Sequence, residues 1–298
     1  MLSVLIPVYR VDVTQLVSDL HRQCSALKIA FEIRLRDDGS DIMYRNINQQ
    51  LSQHFQEVNY SENTSNQGRS ITRNILIQEA KFEWMYFLDC DSDVSQNPEL
   101  ILNFWKQKDE MTLVSGGRIY QKNPPSNPSF YLHWLWGSER ELLDPKLRMR
   151  DPVNHFLSNN FIIHRSITDQ VQFNPRIKGY GYEDTMFAAE LITAGFQIKH
   201  IENPLIHAGL DSTLQFIHKI EESLINIQRI EELCAEQNIP NPLKSKLIST
   251  WESIRKFIPA WLAKPFLPIL KINLKSKKPS LVIFDLYRLF YLLSLPRK

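Results

Sequence analysis

Three aspartates alternate in Asp89-Cys90-Asp91-Ser92-Asp93, directly after the apolar run WMYFL. On an extended segment alternate side chains point to one side, so this spacing predicts converging carboxylates. Like charges in contact call for a cation or a positive partner, and oxygen ligands suit a hard divalent ion, Mg2+ or Mn2+. The other reading is a solvated acidic turn that caps the next helix. A calcium-binding EF-hand is excluded, because its loop needs Gly at position six and Glu at position twelve, where this chain has Val94 and Leu100.

A second constellation is NQGRSITRN, residues 66–74. Arg69 and Arg73 are four apart, on one face of a helix that opens after Gly68. A helix N-terminus with guanidinium groups suits a diphosphate; ordinary solvated arginines are the plain alternative. GYGYED, residues 179–184, sets Glu183 and Asp184 behind a two-glycine turn, where acidic residues also favour a helix start. It lacks the third glycine and the N-terminal strand of a dinucleotide fingerprint, and no GxxxxGK[ST] phosphate loop occurs anywhere.

The elements that must hold these groups are legible from periodicity. LSVLIPV (2–8) is an apolar run suited to a buried parallel strand. Val13, Leu16, Val17, Leu20, Cys24 and Leu27 recur at helical spacing behind Asp12, an expected N-cap. FEIRLRDDGS is a second strand running into a glycine turn. A polar helix over 42–54, a short strand near Val58–Tyr60, a helix over Arg69–Lys81 and the strand EWMYFLDCDSD follow. Strand–helix alternation predicts a parallel sheet with right-handed crossovers, and such sheets bind ligands beyond the carboxyl ends of their strands. Tyr9, Asp37, Asp38 and Asp89–Asp93 fall at those ends. Past residue 111 the pattern is mixed: MTLVSGGRIY and FLSNNFIIHR read as strands, GYGYEDTMFAAELITAG as a turn entering a helix, and Ile217–Cys234 as an amphipathic helix.

Composition narrows the class. The 298 residues are 43% hydrophobic, which excludes a disordered chain. Three widely spaced cysteines, Cys24, Cys90 and Cys234, form no CxxC pair and read as small buried hydrophobes in a reducing compartment. The opening MLSVLIPVYR has no basic n-region and too short an apolar run for a signal peptide. A chain that starts directly in its fold, in the cytosol, is expected. The formal charge of +2 conceals an asymmetry: residues 244–298 carry twelve Lys/Arg against two Asp/Glu, and the first 243 residues are net acidic.

Taken together, SVLIPVYR, RLRDDGSD, the NQGRSITRN–FLDCDSD stretch, GYGYED and His207 in NPLIHAG stand in the order found in family 2 glycosyltransferases, and the chain resembles that family over about residues 2–210. The likeness is to the type that builds bacterial cell-surface polysaccharides. It implies a GT-A fold: an α/β nucleotide-binding domain with a mostly parallel central sheet flanked by helices, followed by a C-terminal helical, basic-apolar appendage. It implies an inverting, metal-dependent transfer from a nucleotide-sugar, usually UDP-linked, to a glycan or polyprenyl-linked acceptor. By the same resemblance Asp38 would accept the base N–H with Pro7 and Tyr9 flanking it, Arg69 and Arg73 would meet the diphosphate, and Asp89 the ribose. Asp91 and His207 would hold Mn2+ or Mg2+. Asp184 would be the general base, with Glu183 beside it binding acceptor or orienting the loop. The family often reads D-x-D-D; Ser92 interrupts that here, which leaves Asp93 outside the implied ligand set.

Three segments are expected: a catalytic domain over 1–212, an amphipathic helix over 213–242 and a basic-apolar tail over 243–298. The tail interleaves basic residues with aliphatic and aromatic ones, as interfacial helices do. Peripheral contact at the inner face of the cell membrane is one reading, packing on the body or on a second copy the other. No nucleic-acid partner is expected, since no recognised motif accompanies the charge. Phe130, Tyr131, His133, Trp134 and Trp136 are candidates for a sugar-stacking surface or for ordinary core. Two other functions stay open: a non-catalytic nucleotide-sugar or glycan-binding protein of this fold, and a sugar nucleotidyltransferase, which lacks its glycine-rich loop after Pro7.

Overall fold

The apolar run at the N-terminus is buried along almost its whole length as β1 (Leu2–Val8). The computed structural model describes residues 1–243 and 245–296, and these fall into two compact units. The first comprises Met1–Ile119, Leu143–Lys178 and Glu183–Gly209; the second comprises Tyr120–Leu142, Gly179–Tyr182 and the described residues from Leu210 onward. This division differs from the expected one. Residues 213–242 and the tail lie in one unit, together with the aromatic segment 120–142.

In the first unit β1 lies between β2 (Phe31–Asp37) and β4 (Trp84–Leu88), parallel to both, and β3 (Val58–Glu62) continues the parallel half beside β2. β5 (Ser92–Asp93), β6 (Thr112–Ser115), β7 (Arg118–Ile119), β8 (Asn160–His164), β9 (Gln197–His200) and β10 (Leu205–His207) complete the strands among the described residues. The main sheet has the order β3-β2-β1-β4-β8-β6-β9. β8 runs antiparallel to both β4 and β6, whereas β6 and β9 are parallel, so the sheet is mixed beyond β4. The expected strand over 111–120 is two strands, β6 and β7. They part at Gly116, where an added Cβ would lie 2.4 Å from the Asn203 carbonyl oxygen.

Both faces of the sheet are covered, which explains the near-continuous apolar runs. Val4, Ile6, Val8, Tyr86 and Leu88 pack on the side of the helices Thr14–Ala26 and Leu100–Gln107. Leu5, Met85, Phe87 and Phe161 face Leu76 of the helix Arg69–Glu79 and Phe187 of the helix Glu183–Thr193. The first helix is capped at Val13, not at the expected Asp12, which stands one residue earlier and accepts the Thr14 N–H at 2.9 Å. Cys24 and Cys234 are buried and Cys90 half-buried, all free, and burial pushes the Cys24 and Cys90 thiols up to about 12.

The second unit is helical. The helix Thr213–Gln237 opens with a reciprocal cap between Ser212 and Gln215 and ends at Asn238 in the left-handed region. Phe216 on that helix is stacked by His133 (centroids 4.4 Å apart) and by Phe284 (5.6 Å). His133 is therefore core, and its Nδ1 accepts the Asp211 N–H at 2.8 Å. The helices Lys246–Ile254, Phe266–Leu274 and Leu281–Ser294 contribute buried Trp251, Leu274, Phe284, Tyr287 and Leu292. Much of the basic tail is thus structural. Among the described residues no helix is long and apolar enough to cross a membrane.

Candidate active site

The carboxyl ends of β1, β2 and β4 carry the residues that the first unit offers for chemistry. Pro7, half-buried, is the penultimate residue of β1, and Tyr9 stands just past its end, 41% exposed. Asp37, the last residue of β2, accepts the Ser40 N–H at 2.7 Å and closes the DDGS turn. The Asp38 carboxylate is buried and takes three protein donors: the Asn63 side-chain amide at 2.7 Å, the Gln67 N–H at 2.8 Å and the Gly68 N–H at 2.9 Å. It ties the end of β2 to the loop that leads into the helix Arg69–Glu79. A carboxylate expected to face a ligand is here largely engaged by its own chain.

The alternating aspartates do not converge on one strand. β4 stops at Leu88, the chain turns so that the Ser92 N–H reaches the Asp89 carbonyl at 3.3 Å, and only Ser92–Asp93 are extended again. The turn sends the three carboxylates apart. Asp89 goes to Arg73, Asp91 to His207, and Asp93 accepts the Ser95 N–H at 2.8 Å as a local cap.

Arg73 also departs from its expected place. Its side chain is 2% exposed, with Nη2 at 2.8 Å from Asp89 Oδ1 and Nη1 at 3.8 Å from Glu183 Oε1. It stacks on Phe173, its guanidinium carbon 5.4 Å from the ring centroid. A buried guanidinium is stable only when paired, and two carboxylates from distant segments supply that pairing. A guanidinium so enclosed is not presented to a diphosphate. Arg69, one helical turn earlier, is 40% exposed, with Nε 3.8 Å from Glu183 Oε1.

Asp184 adjoins this cluster at the start of its helix, where its Oδ1 accepts the Thr185 N–H at 2.8 Å. Burial and the neighbouring Glu183 push its carboxyl up to about 7, against the opposing pull of the Thr185 N–H, Arg73 and Arg118. A carboxyl group that titrates near neutrality is suited to exchange a proton.

Asn159 escaped the sequence reading. It is 3% exposed, and neither its amide nitrogen nor its amide oxygen has a hydrogen-bond partner among the described residues. Its backbone carbonyl accepts the Asp89 N–H at 3.3 Å, which places it beside the Asp89 turn. The adjacent Asn160 is fully engaged, accepting from the Tyr86 hydroxyl and donating to the carbonyls of Gly117 and Asn203. Two successive asparagines entering an apolar strand were the available signal.

Asp91 and His207 come together through the small sheet β5-β10-β7, in which His207 pairs with Ser92. His207 Nδ1 lies 3.5 Å from Asp91 Oδ1, and the Ala208 N–H donates to the Asp91 carbonyl at 2.9 Å. Gly209 makes this approach possible, since an added Cβ would lie 2.3 Å from Asp91 Oδ2. Among the described residues no group of three or more His, Cys, Asp or Glu has the arrangement of a complete metal site. Asp91 offers the carboxylate oxygen that Mn2+ or Mg2+ prefers and His207 an imidazole nitrogen beside it, a two-residue set that would need further oxygen ligands from substrate and water.

The sequence matches the model of glycosyl transferase family 2 over residues 3–171. No curated protein matches it significantly. Among solved structures, the chain is similar to the mannosyltransferase PcManGT from Pyrobaculum calidifontis in complex with GDP-Man and Mn2+. The TM-score is 0.52 and the identity 13%, over 81% of this chain and 66% of that one. GalNAc-T7 with UDP, GalNAc and Mn2+ aligns at TM-score 0.48 and 16% identity over 70% and 43% of the two chains. S. aureus TarS 1-349 aligns at TM-score 0.44 and 15% identity over 76% and 65%. The chain spans less than two thirds of the length of each of these structures. The likeness to PcManGT is one of fold, an α/β GT-A architecture with a mixed but mostly parallel central sheet. With more than half of its length matched by the family model, the chain belongs to glycosyltransferase family 2.

Proposed function

We propose that this chain is an inverting, metal-dependent glycosyltransferase that moves a sugar from a nucleotide-sugar, UDP-linked in the first instance, to a hydroxyl group of a glycan or polyprenyl-linked acceptor. The observation that carries the reading is Asp184, a carboxyl group raised toward neutrality at the edge of the Asp89–Arg73–Glu183 cluster. In the transfer the acceptor oxygen attacks the anomeric carbon as the bond from that carbon to the donor phosphate oxygen breaks. The electron pair leaves with the nucleoside diphosphate and the hydroxyl proton passes to Asp184. Such general-base assistance contributes ~10²–10⁴-fold.

The other residues take roles that fit their surroundings. Tyr9 and Pro7 flank the base. Asp38 uses three of about four acceptor positions on protein donors, which leaves one for a base N–H. Arg69 and the start of its helix face the diphosphate, while buried Arg73 positions Asp89, the ribose ligand, and Glu183. Asn159 offers a donor and an acceptor to the hydroxyl groups of the transferred sugar. Asp91 and His207 would hold Mn2+ or Mg2+. A bound divalent ion stabilises negative charge developing on the leaving diphosphate.

The test is nucleotide release across UDP- and GDP-sugars with Mn2+ and a mixture of glycan and polyprenyl-phosphate acceptors. The wild type should release nucleotide with at least one donor. Asp184→Asn should bind that donor normally and lose transfer by ~10²-fold or more. Wild-type turnover in Asp184→Asn sinks the assignment of the base. Absence of release with every donor favours the non-catalytic binding protein.

A further inference from the structure

Seven Lys/Arg and no Asp/Glu lie between Ser253 and Phe284. The structure divides this stretch and the helix after it by the direction of their apolar side chains. The helix Leu281–Ser294 turns Phe284, Tyr287 and Leu292 inward, into the core of the second unit. The segment before it does the opposite. Phe257 is 82% exposed, Trp261 70%, Ile269 63% and Ile272 72%, with Leu262 and Phe266 near half. Phe266, Ile269 and Ile272 recur at three-residue spacing on one face of the helix Phe266–Leu274, whereas Leu274 is buried. Lys256, Lys264, Lys275, Lys277 and Lys278 are exposed in the same stretch.

We propose that this outward face, Phe257–Lys278, docks on an anionic lipid bilayer, with the apolar side chains in the headgroup–acyl boundary and the lysines at the phosphates. Soluble monomers rarely leave so many large apolar side chains exposed together. The charge selects the occupant. A second copy would set the same carboxylate-free, positive stretch against itself, and like charges in apposition oppose assembly. An anionic membrane surface is instead complementary, at ~1 kcal/mol per basic residue near the surface. A nine-residue helix is ~14 Å long, too short to span a bilayer, so it lies in the plane of the interface. Lysine stems can follow the apolar side chains inward while their ammonium groups stay in water. This reading does not rest on the proposed transfer reaction, and it confines membrane contact to part of the tail.

The experiment is co-sedimentation of the full chain with vesicles of phosphatidylcholine and with vesicles of equal parts phosphatidylcholine and phosphatidylglycerol. Binding should be at least about tenfold stronger to the anionic vesicles and should fall with salt. The double variant Ile269→Ser/Ile272→Ser should lose about tenfold in binding while its circular dichroism stays that of the wild type, since both side chains are exposed. Lys275→Glu/Lys277→Glu should abolish the preference for anionic lipid. Equal binding of the wild type to both vesicle types overturns the proposal, as does wild-type binding by the serine variant. Concentration-dependent dimerisation that the serine pair abolishes, with no vesicle binding by the wild type, assigns the face to a second copy and also overturns it.

Discussion

Arg73 Nη2 lies 2.8 Å from Asp89 Oδ1, and this contact joins the helix after the glycine turn to the end of β4. With Glu183 on its other side, the guanidinium fixes three segments that meet at the carboxyl edge of the sheet. Replacing Arg73 by Met leaves buried Glu183 with only the part-exposed Arg69, 3.8 Å away, as a cation. The expected loss is about 3 kcal/mol, at the low end for breaking a buried pair because Asp89 is a third exposed to water. Urea unfolding measures it. Arg73→Lys should recover part of the stability, and a Met variant as stable as the wild type would show that the pair contributes nothing net.

The raised carboxyl of Asp184 predicts two opposite pH effects. As general base it must be ionised, so transfer should fall as pH drops through about 7. Its effect on stability has the other sign. The folded state disfavours the ionised form, so Asp184 weakens the fold progressively as pH rises from the ordinary carboxyl range to about 7. Asp184→Asn should therefore raise the melting temperature at pH 8 relative to wild type more than it does at pH 4. Differential scanning calorimetry at the two pH values checks the sign.

Gly209→Ala tests the Asp91–His207 pair without removing either side chain. A methyl group 2.3 Å from Asp91 Oδ2 must displace that carboxylate. The variant should lose Mn2+-dependent nucleotide affinity to about the same extent as Asp91→Ala, with metal-independent affinity unchanged. Calorimetric titration with nucleotide, with and without Mn2+, gives both numbers. Full retention of the metal effect would falsify the assignment of Asp91.

Asn159→Leu removes an amide that makes no hydrogen bond within the chain. The melting temperature should stay level or rise, because an unsatisfied buried polar group is removed. kcat/KM with the preferred donor should drop about tenfold, the size of one hydrogen bond made to the sugar. A drop in stability with unchanged kinetics would make the side chain structural.

Much of the frame of the first unit was legible in the residue pattern. β1 and β4 put apolar side chains on two covered faces, β2 puts Ile33 and Leu35 on one, and aspartates mark where β2 and β4 stop. The placement of charges was less accessible. The spacing of Asp89, Asp91 and Asp93 implied convergence, yet a turn after Leu88 disperses them, and no local signal distinguishes a turn from a continued strand there. Helical spacing put Arg69 and Arg73 on one face, but whether a guanidinium is solvated or enclosed depends on Glu183, more than a hundred residues away. The tail left two readings open for a similar reason. Its apolar content reads alike whether it covers Phe216 or faces outward, and Phe284 covers Phe216. Cutting the chain after residue 243 should accordingly destabilise the second unit, not merely release it from a surface.

The ribbon that carries His207 is slight. β10 has three residues and meets β5 through only two pairs. Its anchorage is nevertheless deep, since it also pairs with β7 and its Leu205 and Ile206 are buried, Leu205 in the core on one face of the seven-stranded sheet. The Asp91–His207 pair is therefore preset by the main core of the unit, and a ligand gripping both residues spends little of its binding energy on ordering them.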